Sequence, residues 1–333
     1  MIESVKIQNF RCFSELEVHG LKPINILVGE NASGKSAFLE AIYLALTGMP
    51  SSAFQLREWR QMGQPRESAF ASLSSSEIWD DLFHNYNSAR PIAISIENAK
   101  PSPDVLRIQR DGTGIKFLWK SAEYSSEFVS SPEHLKPIEG LSSGLHDANP
   151  VEFIGSHTQS VPQWLASRFS NLSNEGETAP VLDALRIEFP FLKELSLELD
   201  AGNPSVFASI EGSKRKLPAA LVSDGFNKLL GILLSIASAS KGTLLIDQIE
   251  DGFYFKKLPS IWKTIHKFAK ANGTQIFATT HSQECLDALL PTLEANEDDF
   301  ALIRASRSED SIVFRVANGR QFGSVLSQGF EVR

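Results

Sequence analysis

Ile24-Asn25-Ile26-Leu27-Val28-Gly29-Glu30-Asn31-Ala32-Ser33-Gly34-Lys35-Ser36-Ala37-Phe38-Leu39-Glu40-Ala41-Ile42-Tyr43-Leu44-Ala45-Leu46 decides the fold. An apolar run suited to a buried strand leads into G-x-x-x-x-G-K-[ST], and a helical pattern follows. Gly29 and Gly34 let the backbone fold tightly and turn the amides of Asn31, Ala32 and Ser33 toward phosphate oxygens. The helix that follows aims its positive end at the same anion. Lys35 is placed to reach β- and γ-phosphates, and the Ser36 hydroxyl to ligate Mg²⁺.

Working outward toward the N-terminus, spaced apolar residues at Ile2, Val5, Ile7, Phe10, Leu16 and Val18 predict a hairpin-like pair of strands. Its bend carries Arg11, either a nucleotide contact or a solvated turn arginine. Past the motif, Gly48 and Pro50 signal the end of the helix. Residues 51–150 read less regularly: a short helix at Glu77–His84, antiparallel strands at Ile92–Ile96, Val105–Arg110 and Gly114–Lys120, then loop from Ser125 to Pro150. Arg57, Arg60 and Arg66 cluster with Trp59, which suits nucleic acid or simply a surface helix end. The basic loop Gly212–Lys216 reads as a solvated charge run.

The second half alternates helices with short apolar runs: strands at Val151–Gly155, Thr243–Ile246 and Gln275–Thr279, and helices at Pro162–Leu172, Pro180–Glu188, Asn227–Ser238, Leu258–Ala271 and Gln283–Leu290. Leu195–Leu199 and Ser205–Glu211 read as a strand pair, and Phe300–Ala305 and Ile312–Val316 as closing edge strands. That alternation predicts an α/β fold with a parallel or mixed central sheet, an antiparallel β subdomain and a helical lobe. Ligands of such sheets sit beyond the carboxyl ends of the strands, where Gly29, Asp247 and His281 fall.

Asp247 is placed as the second Mg²⁺ contact, unless it only caps a following helix. The next position calls for a carboxylate to orient and deprotonate water, and the chain has Gln248. An amide can hold the water but cannot usefully accept its proton. Glu250 lies two residues on, on the same side but farther from the γ-phosphate. His281 is placed to hydrogen-bond that phosphate. Ser223-Asp224-Gly225 before a helix offers an anion site, an ordinary N-cap, or both.

This order of motifs resembles an ABC-type ATPase head, within it the OLD/RecF/SMC branch, and most closely the compact OLD-like AAA ATPases found in bacterial anti-phage defence. The resemblance runs from Asn9-Phe10-Arg11 to the closing strands. It implies ATP and Mg²⁺ as ligands, ATP being favoured over GTP on this ground alone. It implies a head-to-tail dimer, or a higher homo-oligomer, around ATP. Ser223 and Gly225 would touch the nucleotide of the other subunit, Asp251 would approach the interface, and Gln159 is a candidate metal-contacting Q-loop residue. It also implies an ATPase core of residues 1–50 and 196–333 with residues 51–195 as an inserted lobe. The family has Glu where Gln248 stands; an amide there traps ATP-bound dimers, so Gln248 reads as a substitution that impairs turnover, with a native nucleotide sensor as the alternative. Tyr254 replaces a frequent His. The chain lacks a long heptad segment, and about fifty residues follow Thr-Thr-His-Ser, too few for a nuclease domain. The implied role is therefore a switch for a separate effector, a nuclease or toxin, against a RecF-like ATP-dependent DNA-binding role in repair.

The bulk numbers set limits. A 42% apolar and 22% charged chain of 333 residues is that of a soluble globular protein of one large domain or two. A net charge of −8 disfavours a uniformly basic nucleic-acid surface. No apolar run spans a membrane, no signal pattern opens the chain, and two distant cysteines read as reduced thiols in a cytoplasmic protein.

Overall fold

The computed structural model describes residues 1–60, 77–100, 102–112, 114–121, 125–130, 150–155, 162–308 and 311–327. β1 (Ile2–Phe10) and β2 (Phe13–His19) form the expected hairpin, with the turn at Arg11-Cys12. β3 (Ile24–Gly29) leads through the glycine-rich loop into α1 (Lys35–Thr47). α2 (Pro50–Trp59) and the single turn α3 (Glu77–Asp80) follow. Pro50, expected as a stop, instead opens α2, where its missing N–H costs nothing.

β4 (Ile92–Asn98), β5 (Asp104–Asp111), β6 (Gly114–Lys120) and β7 (Ser125–Ser130) extend the hairpin into a six-stranded antiparallel sheet of order β2-β1-β4-β5-β6-β7. β7 corrects the loop expected from Ser125. It pairs along β6, and Phe128 packs against the core, so one aromatic anchors a serine-rich edge strand. The remainder of that expected loop, residues 131–149, lies outside the described residues, as do Arg66 and Gln159.

The second half supplies β8 (Val151–Ile154), α4 (Pro162–Glu175) and α5 (Thr178–Glu188). A small sheet follows, of β9 (Leu192–Asp200), β10 (Asn203–Ile210) and the short β11 (Leu217–Pro218). Then come α6 (Asp224–Ser238), β12 (Thr243–Ile246), α7 (Leu258–Asn272), β13 (Gln275–Thr279) and α8 (Gln283–Glu294). β14 (Phe300–Arg307), β15 (Ile312–Asn318) and α9 (Gly319–Ser327) close the described chain.

The central sheet has the order β15-β14-β3-β13-β12-β8 and is parallel except for β15. β14 is therefore not an edge strand as expected: it pairs in parallel with β3, and only β15 is marginal. β8, from the segment expected as an insertion, forms the opposite edge. α9 opens with a capping box, Asn318 Oδ1 accepting the Gln321 N–H (3.0 Å) and Gln321 Oε1 the Asn318 N–H (3.1 Å), a signal the sequence reading misses, and Phe322 and Leu326 bury one face of it. α8 continues past its expected end through Pro291, held by the burial of Thr292 and Leu293.

Strand alternation sorts the side chains into two cores. Ile24, Ile26 and Val28 join Leu244, Ile246 and Ile276 beneath helices α4–α8. Leu27, Leu245, Phe277 and Ile303 face the other way, toward α1 and the antiparallel sheet. α1 lies between the two sheets, so every one of its residues except Ser36 is buried. No helix among the described residues is long and apolar enough to cross a membrane. Cys12 and Cys285 are free thiols.

Candidate functional site

The loop after β3 takes conformations that glycine permits. Gly29 has φ 139°, and a Cβ there would lie 2.1 Å from the Ala305 carbonyl oxygen. Gly34 has φ 96°, and a Cβ there would press on the Phe13 ring at 2.9 Å. Asn31 and Ala32 are exposed, and Ser33 is buried beneath them. The Lys35 ammonium is folded onto the loop, donating to the carbonyls of Gly29 (2.7 Å) and Glu30 (2.8 Å). Burial pushes its pKa down, against the pull of Asp247 and Glu250.

Asp247 directly follows β12 beside this loop. Its Oδ2 accepts from the Ser36 hydroxyl (2.9 Å) and its Oδ1 from the Thr279 hydroxyl (2.6 Å). The separation of Ser36 Oγ and Asp247 Oδ2 matches adjacent corners of a Mg²⁺ octahedron, about 3 Å apart when Mg–O is about 2.1 Å. Both are hard oxygen donors, so the pair fits the ion. The simple capping alternative for Asp247 is not what its side chain does here.

Thr279 also accepts the Gln248 N–H (2.8 Å). Gln248 is left-handed, φ 57°, and half-buried. Glu250 turns back toward β13: its Oε1 accepts the His281 N–H (2.8 Å), while its Oε2 is buried without a hydrogen-bond partner among the described residues. Burial, then the nearby Lys35 charge, lowers the His281 pKa, favouring the neutral ring. The strand ends thus gather Lys35, Ser36, Asp247, Gln248, Glu250 and His281 into one rim.

Residues 24–287 match the family described as "AAA domain, putative AbiEii toxin, Type IV TA system". The chain belongs to this AAA-domain family. Its members are ATPases of the ABC-type class, and the chain is an ATPase. This AAA-domain protein is 25% identical to an ATP/GTP phosphatase of Helicobacter pylori, with 90% of each chain covered. It is 45% identical to the DNA replication and repair protein RecF of Nitrosococcus oceani over 62 residues, 19% of this chain and 17% of that one. Among solved structures, the Smc head bound to the C-winged helix domain of ScpA superposes with TM-score 0.58 at 13% identity, covering 95% of this chain and 98% of that one. The SMC head domain from Thermotoga maritima gives TM-score 0.52 at 13% identity, covering 95% and 99%. The fold is that of an ABC-type ATPase head.

Other expected residues of the AAA-domain chain lie around the rim. Ser223 is exposed and caps α6, accepting the Phe226 N–H (3.1 Å). A Cβ on Gly225 would lie 3.1 Å from the Gly252 carbonyl oxygen, so the start of α6 packs on the segment after Gln248. Asp251 is half-buried in that segment. Arg11 is not a solvated turn residue: its Nε lies 2.7 Å from Glu40 Oε2, inside the protein. Arg60 pairs with the other Glu40 oxygen, and Arg57 with Asp81 (2.6 Å), so two members of the expected basic cluster are matched by carboxylates.

Three participants carry no role in the sequence reading. Thr279 looks like any strand residue. Glu40 is a buried acid in an apolar helix, and Lys228 a buried base in another; a charge inside a helix that is apolar all round is the signal that points to both.

Proposed function

We propose that this ATPase is a nucleotide-gated switch that dimerises head to tail around ATP and holds or releases a separate effector protein. One observation carries the reading: the Asp247 carboxylate is shared between Ser36 on the loop side and Thr279 on β13, with residue 248 next in the chain. The amides of Asn31, Ala32, Ser33 and Gly34 cradle the phosphates, and Lys35 exchanges the carbonyls of Gly29 and Glu30 for phosphate oxygens. Ser36 and Asp247 would hold Mg²⁺. When bound, the ion neutralises charge on the β- and γ-phosphate oxygens.

Gln248 orients the attacking water but cannot take its proton, so it stands where Glu gives fast turnover. Glu250, two residues on, is a carboxylate base farther from the γ-phosphate, and His281 reads that phosphate. Arg11, held by Glu40, lines the nucleotide. Ser223, Gly225 and Asp251 meet the nucleotide of the other subunit. The resemblance to OLD-like ATPases supports a defence setting with a nuclease or toxin as effector.

The deciding experiment compares ATP turnover and light-scattering mass for the chain and its Gln248→Glu variant. The variant is expected to gain roughly 10²–10⁴-fold in turnover, while the chain as it stands accumulates as an ATP-dependent dimer. If neither hydrolyses ATP nor changes mass with it, the cross-subunit arrangement is wrong. A second reading, ATP-dependent DNA binding, is supported by the RecF-like segment. It requires DNA affinity that appears with ATP and falls steeply with salt.

A further inference from the structure

Lys228 has no part in the reading above, yet its place in the fold is costly. It lies on α6 within the run Phe226–Ile236, is 2% exposed, and is flanked by the fully buried Phe226, Leu229 and Leu230. Burying an ammonium costs far more than burying an apolar chain of the same length. Its Nζ donates to the carbonyl oxygen of Gln248 (3.1 Å).

Residue 248 is therefore pinned at both ends. Its N–H goes to Thr279 on β13 and its C=O to Lys228 on α6. Between these anchors its backbone is left-handed, a conformation that a non-glycine residue keeps only when its surroundings fix it. α6 is also the helix that Ser223 caps, and Gly225 in its first turn packs on the Gly252 carbonyl. Two contacts thus lash the start of this helix to the segment after Asp247: one of packing, one of hydrogen bonding. Asp247, Glu250 and Asp251 supply the negative field that keeps the buried cation in place.

We propose that Lys228 is a positioning residue that ties the backbone of residue 248 to the helix carrying Ser223, so that the water-orienting side chain and the partner-facing helix terminus shift as one body. This rests on the reading of residue 248 given above. A nucleotide held by another copy and pressed against Ser223 would then act on the backbone of residue 248 through the Lys228 hydrogen bond, beside the Gly225–Gly252 contact, without touching the loop at residues 29–36.

The test is Lys228→Met, made alone and in the Gln248→Glu background. Methionine, one atom shorter, fills most of the same space and removes the donor. In the double variant, kcat is expected to fall roughly 10- to 100-fold, with the ATP dissociation constant, measured by equilibrium dialysis, changed less than about twofold. The thermal midpoint changes little, because loss of the buried charge offsets the cost of leaving the Gln248 carbonyl unpaired. A purely structural lysine gives the opposite pattern: a lower midpoint, with affinity and turnover falling together. Should Lys228→Met fail to fold, Lys228→Gln, one bond too short to reach the carbonyl, must show the same split between kcat and affinity. If Gln248→Glu gains turnover and loss of the lysine does not reduce it, Lys228 is not a positioning residue, and the reading of residue 248 survives. If Gln248→Glu gains nothing, the reading of residue 248 falls and this inference falls with it.

Discussion

Two segments meet at the strand ends and are built on opposite plans. The loop from Gly29 to Ser36 holds its shape by what is missing: at Gly29 and Gly34 a single carbon would collide with Ala305 or Phe13, and both backbones are left-handed. The segment from Asp247 to Asp251 holds its shape by what reaches it from far away. Thr279, Lys228 and the His281 amide fix Asp247, Gln248 and Glu250 from β13, α6 and the start of the loop after β13. The first segment is encoded in its own letters, and the second in letters scattered over the last third of the chain. Adding an atom should break the first; removing a distant one should break the second.

The largest effect expected is at Gly29. Gly29→Ala places a carbon 2.1 Å from a backbone oxygen at φ 139°, and should cost on the order of 3 kcal/mol or more. Urea denaturation reads the loss, and ATP binding should vanish with it. A cost below about 1 kcal/mol would mean the loop yields more easily than its contacts imply.

Next comes Thr279→Val, an isosteric change that leaves Asp247 Oδ1 and the Gln248 N–H without their partner. It should cost about 1–3 kcal/mol and lower the turnover of the Gln248→Glu variant. An unchanged midpoint would show that the segment does not depend on β13. Smaller again is Gln248→Gly. It removes the left-handed strain while leaving both backbone anchors, so stability should hold or rise by up to about 1 kcal/mol. A clear loss would show that the side chain, not the backbone anchors, holds the turn.

The smallest effect is a pH dependence. Burial holds the Lys228 pKa at about 8, below its ordinary 10.5. Below about 8, folded and unfolded chains both carry the proton and the burial cost is present in full. Between about 8 and 10.5 the unfolded chain keeps a proton the folded one has shed, so this group adds stability as pH rises through that window. The stability of the chain relative to Lys228→Met should rise across it; a constant difference would place the lysine in solvent.

The same contrast explains what the sequence revealed. β3, the loop and α1 were legible because strand, glycines and helix are contiguous and their periods are unmixed. β12 and β13 were read to the residue, since short apolar runs between polar turns have one sensible ending. β7 was hidden because Phe128 alone marks a serine-rich strand, and α9 because its face is built by Phe322 and Leu326 against elements not adjacent in sequence. β14 was read as a strand, but its internal place depends on pairing with β3 some 275 residues away, which no local pattern encodes. At the rim, residue types marked Lys35, Ser36, Asp247 and His281. The anchoring of Arg11 by Glu40 and of Gln248 by Lys228 required seeing α1 and α6 in place.

Gln275 gives the chain a schedule. Its side chain accepts from the Ile2 N–H (2.7 Å) and donates to the Ile2 and Lys22 carbonyls (2.9 Å each), while both neighbours of β3, β13 and β14, come from the last fifth of the sequence. During synthesis the strand that carries the glycine-rich loop therefore waits for nearly the whole protein before it has anything to pair with. Its apolar residues stay exposed through that interval, which is the condition under which nascent chains engage chaperones or aggregate. Acquisition of nucleotide should be among the last events of folding, appearing in pulse-labelled chains only after Gln275 and β14 have emerged.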